Sequence, residues 1–60
     1  MGLPVAVRAR IRACILSAQK ALREADRAVL EGSALGAKGY LEEARRQVAL
    51  AESLLGRPGA

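Results

Sequence analysis

The feature that most constrains this chain is an apolar residue every three or four positions, repeated over two long stretches. The first stretch carries Ile11, Ile15, Ala18, Leu22, Ala25 and Val29, and the second carries Ala34, Ala37, Leu41, Ala44, Val48, Ala51 and Leu55. This spacing is the heptad pattern of a coiled coil, written abcdefg, in which positions a and d face a neighbouring helix. With Ile15 and Leu41 at position a, large residues hold most a positions and alanine holds most d positions. The sequence therefore predicts two helices with matching apolar stripes, folded into an antiparallel hairpin.

The ends of the two helices are indicated by proline and glycine. Pro4 suits the first turn of a helix, because its missing N–H would be unpaired there. Gly32 suits the residue just after a helix, and Ser33 suits the N-cap of the next one. Gly56 and the proline after it suit the end of the second helix. We therefore expect a single domain over residues 1–60, with helix one at about 4–31, a turn at 32–33, helix two at about 34–55 and a disordered tail at 56–60.

A longer connection is the alternative. The glycine-containing stretch over residues 32–39 could form a loop, with Gly39 as the N-cap and Glu42 reaching back to it. The short turn is favoured because Ala34 and Ala37 keep the heptad spacing of the residues that follow.

The chain is short for a domain that stands alone. Sixty residues bury only about 60% of the surface that the unfolded chain exposes. Small domains compensate with disulfides, a structural metal or oligomerisation, and this chain has one cysteine and no histidine. The expected fold class is therefore all-α, an antiparallel two-helix hairpin that dimerises into a four-helix bundle. This plan resembles that of the plasmid copy-control proteins, whose helical hairpins form such dimers.

The predicted interfaces combine the two heptad rows with leucines that lie outside them. These extra leucines would be left in water by a lone hairpin. The predicted interface residues are Ile11, Ile15, Leu16, Ala18, Leu22, Ala25, Val29, Leu30, Leu41, Ala44, Val48, Leu50, Ala51, Leu54 and Leu55.

Charge is distributed unevenly along the chain. Residues 1–23 contain five basic residues and no acidic residue, whereas residues 24–60 contain five basic and six acidic residues. The net charge of +4 therefore comes from the first helix. Such a basic segment suits an acidic protein or a nucleic-acid backbone. The candidate anion contacts are Arg8, Arg10, Arg12, Lys20 and Arg23.

The residue types needed for catalysis are scarce. Cys14 is the one thiol, and the chain has no histidine that could act as its base. We expect Cys14 to pack as a small apolar residue, although a disulfide across a dimer two-fold axis is a sharper alternative. The carboxylates alternate with arginines on the predicted helix surfaces. No catalytic residue, metal ligand or cofactor is therefore expected, and the chain is predicted not to be an enzyme.

No stretch is apolar enough to predict a membrane span. The longest runs without charge, such as residues 13–19, have seven residues, against about 20 for a spanning helix. We expect a cytoplasmic protein. A basic, acid-free start also resembles a mitochondrial presequence, which gives an alternative location.

Two functions follow from these features. The first is a small, non-enzymatic helical module for protein interaction and assembly, acting as a homo-oligomer. The alternative is a regulatory protein that binds the backbone of RNA or DNA through the basic half of helix one.

Overall fold

The computed structural model describes residues 2–56 and contains two α-helices joined by a tight turn. Helix α1 spans Val5–Leu30 and helix α2 spans Ala34–Leu55. The helices pack against each other along their length, in a hairpin that measures 45 by 17 by 12 Å. The predicted all-helical hairpin is thus confirmed. The expected tail beyond Gly56 lies outside the described residues.

The turn between the helices is built by two backbone hydrogen bonds and one side-chain cap. Gly32 has a φ of 79°, the left-handed conformation that favours glycine. The N–H of Ser33 donates to the carbonyl of Ala28 at 2.8 Å, and the N–H of Gly32 donates to that of Val29 at 3.0 Å. This pair of bonds is the Schellman motif, which satisfies the last carbonyls of α1.

Ser33 then opens the second helix. Its Oγ accepts a hydrogen bond from the N–H of Gly36 at 3.1 Å, as expected of an N-cap serine. Helix α2 therefore begins at Ala34, and the residues up to Gly39 are helical instead of forming a loop. Because the turn is short, it determines which residues of α1 and α2 lie side by side along the hairpin.

The contact between the helices consists almost entirely of alanine. The buried residues have exposures of at most 7% and are Ile11, Ala18, Ala21, Ala25, Ala28, Ala37, Ala44 and Ala51. In the heptad register they occupy position d on both helices and position g on α1. Half-buried residues, among them Cys14, Gln47 and Leu54, continue the g row. We call this d and g contact the alanine seam.

The a positions do not take part in the alanine seam. The exposures of Ile15, Leu22, Val29, Leu41, Val48 and Leu55 lie between 45% and 63%. The expectation that a and d would both face the neighbouring helix of the hairpin was therefore wrong for the a row. The physical reason is side-chain size, because alanine at d and g lets the helices approach more closely than isoleucine or leucine would. A Cβ added at Gly36 would lie 3.4 Å from the Cβ of Ala28, which shows how close the helices are near the turn.

Enlarging a residue of the alanine seam should destabilise the hairpin. We expect Ala44→Leu to lower the free energy of unfolding by about 1–3 kcal/mol, because its methyl group is buried against α1. Ala49→Leu, on the exposed side of the same helix, should change it by less than about 0.5 kcal/mol. Urea unfolding at one protein concentration compares the two variants. Equal effects would contradict a close-packed seam.

Two glycines should respond to alanine in opposite directions. Gly32→Ala places a side chain at a φ of 79° and should cost about 1–2 kcal/mol of stability. Gly39→Ala should add about 0.5–1 kcal/mol, since Gly39 lies within α2 and a Cβ there meets nothing within 4 Å. Thermal unfolding followed by circular dichroism measures both changes. A stabilising Gly32→Ala would be incompatible with the turn described above.

Candidate interaction surface

The exposed a residues of the two helices lie on one side of the hairpin. When two antiparallel helices meet through the same heptad rows, equivalent rows of the two helices lie on the same side of the pair. The a row of α1 therefore lies on the same side as the a row of α2. The grooves on the other side support this, because residues of rows c, f and g from both helices line them. We call the side that carries the a rows the apolar face. Its residues are Ile15, Leu22, Val29, Leu41, Val48 and Leu55.

The height of a residue, meaning its position along the long axis of the hairpin, follows from contacts between α1 and α2. Ala28 lies beside Gly36 near the turn. Further along, Glu24 and Tyr40 line one groove, and Cys14 and Leu50 line another. Continuing this pairing places Leu22 about level with Leu41, and Ile15 about level with Val48. On the apolar face, large residues of α1 and α2 therefore lie side by side above the alanine seam.

A row of polar residues borders the apolar face on each helix. These residues occupy position e, on the side of the a row that points away from the seam, and all are exposed. We call them the rim. It comprises Arg12, Gln19 and Asp26 on α1, and Lys38, Arg45 and Glu52 on α2. Two ion pairs occur within residues 2–56, Glu24–Arg27 and Glu43–Arg46, and neither uses a rim residue. An apolar centre with a polar border is the usual anatomy of a protein interface.

The opposite side of the hairpin is mixed in character. Ser17, Lys20, Glu24, Tyr40 and Glu43 line a groove near its middle. Hydrogen bonds from Gln47 and Arg46, together with the positive charge of Arg46, lower the pKa of Glu43. Both donors lie on α2 itself, one turn after Glu43. This arrangement stabilises the ionised carboxylate of Glu43 on the surface of α2.

The leucines outside the two main rows are divided among different surfaces. Leu50 and Leu54 line a groove on the opposite side of the hairpin, near its open end. Leu16 and Leu30 lie in row b, on the outer edge of α1, and Leu30 is 80% exposed. These residues therefore do not widen the apolar face. Their assignment to an interface stays a prediction.

Cys14 is half-buried in row g. It lines the groove with Leu50 and Leu54, which lies on the side away from the apolar face. A disulfide across a two-fold axis through the apolar face does not fit that position. Packing as a small apolar residue does fit it.

The basic residues of α1 surround the helix. Arg8 lies in row a at the end of the apolar face, Arg10 lies in row c on the opposite side, and Arg12 belongs to the rim. Lys20 and Arg23 follow in rows f and b, and all five side chains are exposed. The structure therefore distributes these charges over several sides and does not assemble them into one patch.

No group of three or more histidine, cysteine, aspartate or glutamate residues is placed to hold a metal ion among residues 2–56. Within the same residues, neither helix combines the length and apolar character that crossing a bilayer requires.

Comparison with known proteins adds no further assignment. No family model matches this chain, and neither the curated proteins nor the solved structures include a match to it. The surface of the hairpin is therefore the remaining evidence for function.

Proposed function

We propose that this chain is a non-enzymatic assembly module that self-associates through the apolar face, forming a four-helix bundle from two hairpins. The observation that carries the proposal is the separation of small and large side chains. Alanine fills the contact within the hairpin, while the large a residues remain about half exposed on one face.

The energetics favour covering the apolar face. Full burial of a valine, leucine or isoleucine side chain contributes about 1.5–3 kcal/mol, whereas an alanine methyl contributes about 0.8 kcal/mol. Among residues 2–56, seven alanines and one isoleucine are buried. Much of the hydrophobic stabilisation that the sequence can supply therefore lies in side chains that a single hairpin leaves half in water. A continuous apolar strip of this kind is typical of an interaction surface.

The second candidate function is binding to a nucleic-acid backbone through the start of α1. It is favoured by the position of Arg8, Arg10 and Arg12 near the N-terminus of the helix, where the helix dipole opposes positive charge. None of the three takes part in either ion pair that the structure shows within residues 2–56. Charges on several sides of a helix suit phosphate contacts better than the reading of base edges.

Self-association should depend on the centre of the apolar face. We expect light scattering over a concentration series to give a dimer for the natural chain. Leu22→Glu and Leu41→Glu should each weaken the dimer at least about tenfold, because a charge would have to be desolvated between the hairpins. Leu35→Glu is the matched control, since Leu35 is 84% exposed on the outer side of α2. A natural chain that stays monomeric and folded at every concentration would rule out the proposal.

Nucleic-acid binding through the start of α1 should be strongly dependent on salt. For each phosphate contact, the logarithm of the binding constant should fall with a slope of about 0.9 against the logarithm of the salt concentration. Replacing Arg8, Arg10 and Arg12 with glutamine should therefore reduce the measured slope. Arg46→Gln is the control, because Arg46 already pairs with Glu43 on α2. The absence of any binding to RNA or duplex DNA at low salt would exclude this function.

A further inference from the structure

We propose that the two copies stack their apolar faces with their turns at opposite ends of the bundle. Helix α1 then lies on α1 of the second copy, and α2 lies on α2 of the second copy. This inference rests on the proposed self-association and specifies the geometry of its partner. It follows from the sizes of the residues at the two ends of the apolar face, and it is compatible with the order of charges along the rim.

Face-to-face packing of two identical hairpins allows two symmetric arrangements. If the two-fold axis runs along the bundle, both turns lie at the same end, and α1 packs on α2 of the second copy. If the axis runs across the bundle, the turns lie at opposite ends. Neighbouring helices are antiparallel in both cases, so the directions of the helices do not distinguish the arrangements.

The rim is self-complementary about an axis that crosses the bundle at its middle. Gln19 and Arg45 share a height, by continuation of the pairing of Glu24 with Tyr40 and of Cys14 with Leu50. Arg12 and Asp26 lie seven residues on either side of Gln19. An axis at this height therefore brings Arg12 of each copy opposite Asp26 of the other.

The same axis also brings opposite charges together on the rim of α2. Lys38 and Glu52 lie seven residues on either side of Arg45, so each lysine faces a glutamate of the other copy. Four pairs of opposite charge result, two on each side of the bundle. The rim charges have no ion-pair partner among residues 2–56 of their own chain, which leaves them available for these contacts.

The two ends of the apolar face differ in size, and this difference selects the crossed axis. Near the turn the a positions are Val29 and Ala34, and at the open end they are Arg8 and Leu55. With the turns at opposite ends, the small residues Val29 and Ala34 of each copy pack against the large residues at the open end of the other copy. Turns at the same end would pack small against small, leaving a gap, and would bring two Arg8 side chains together over the apolar face.

One like-charged contact remains in the proposed arrangement. Arg45 of each copy lies near the axis and faces its own counterpart. Its side chain is on the exposed rim, where water and salt screen the repulsion. The arrangement with turns at the same end also pairs opposite rim charges, Arg12 with Glu52 and Asp26 with Lys38, and it avoids this contact. However, it concentrates both basic ends at one end of the bundle. The net effect favours turns at opposite ends, because Arg8 would be the more strongly desolvated of the two arginines.

Single cysteines on the rim test the geometry directly. In a Cys14→Ala background, Gln19→Cys should form a disulfide-linked dimer under mild oxidation, and Arg45→Cys should do so as a separate protein. Each position faces itself across the proposed axis, as a disulfide between two identical residues requires. A mixture of the two proteins should give few mixed dimers. Light scattering under reducing conditions and circular dichroism check that each variant still associates and folds.

The outcomes separate the two arrangements from a failure of self-association. Mixed dimers that outnumber both self-linked dimers would show that the turns lie at the same end and would overturn the inference. A dimer by light scattering that gives no disulfide at either position would also overturn it, while leaving the assembly function intact. A folded monomer would remove the assembly function and this inference together.

Charge reversal provides an independent measurement without cysteine. Arg12→Glu alone should weaken the dimer roughly fivefold, because two rim pairs are lost by symmetry. Adding Asp26→Arg should restore the affinity, since the reversed charges face each other again. Adding Glu52→Arg in its place should weaken the dimer further, because it opposes Lys38. Restoration by Glu52→Arg and not by Asp26→Arg would contradict the crossed axis.

Discussion

The close contact of alanine against alanine is the constraint on which the structure depends. Two helices approach closely only where both present small side chains. Both helices do so along the d row, and α1 adds Ala21 and Ala28 from its g row. The Schellman turn at Gly32 fixes the height at which this contact begins. Once the turn and the seam are in place, the direction of every other heptad position is determined. The apolar face is a consequence of this contact and not a separate feature.

The sequence pattern predicted the two helices, the turn at Gly32 and Ser33, and the apolar character of the rows. It did not predict which rows would meet inside the hairpin. The d row is flanked by a on one side and by g on the other, and heptad spacing alone assigns the partner to a. On α1 the g row carries Ala21 and Ala28, so that side of the stripe is narrow enough for close packing. Side-chain size, and not periodicity, therefore decides the seam.

Only part of the candidate surface could be predicted, because helix rotation decides which side of the hairpin each row lies on. The sequence identifies large residues such as Leu22 and Leu41 as apolar heptad positions, but whether they pack inside the hairpin or stay exposed depends on helix rotation. Residues such as Leu16 and Leu50 lie in rows that the rotation directs to other sides. Neighbouring heptad rows differ by roughly 40° to 60° in direction around the helix. The leucine positions in the sequence therefore show which leucines share a face only once the rotation of each helix is known.

The two proposed functions compete for some of the same side chains. In the bundle with turns at opposite ends, Arg12 faces an aspartate of the second copy, and Arg8 lies at the edge of the covered face. Both would then lie near the C-terminal end of the second copy's α1, where the helix dipole favours positive charge. Their unfavourable position at the start of their own helix would be offset by this contact. Arg10, Lys20 and Arg23 lie in rows outside the apolar face and remain open to an anion in either state. Binding of a nucleic-acid backbone by the dimer would therefore use a smaller and differently placed set of charges than binding by the monomer.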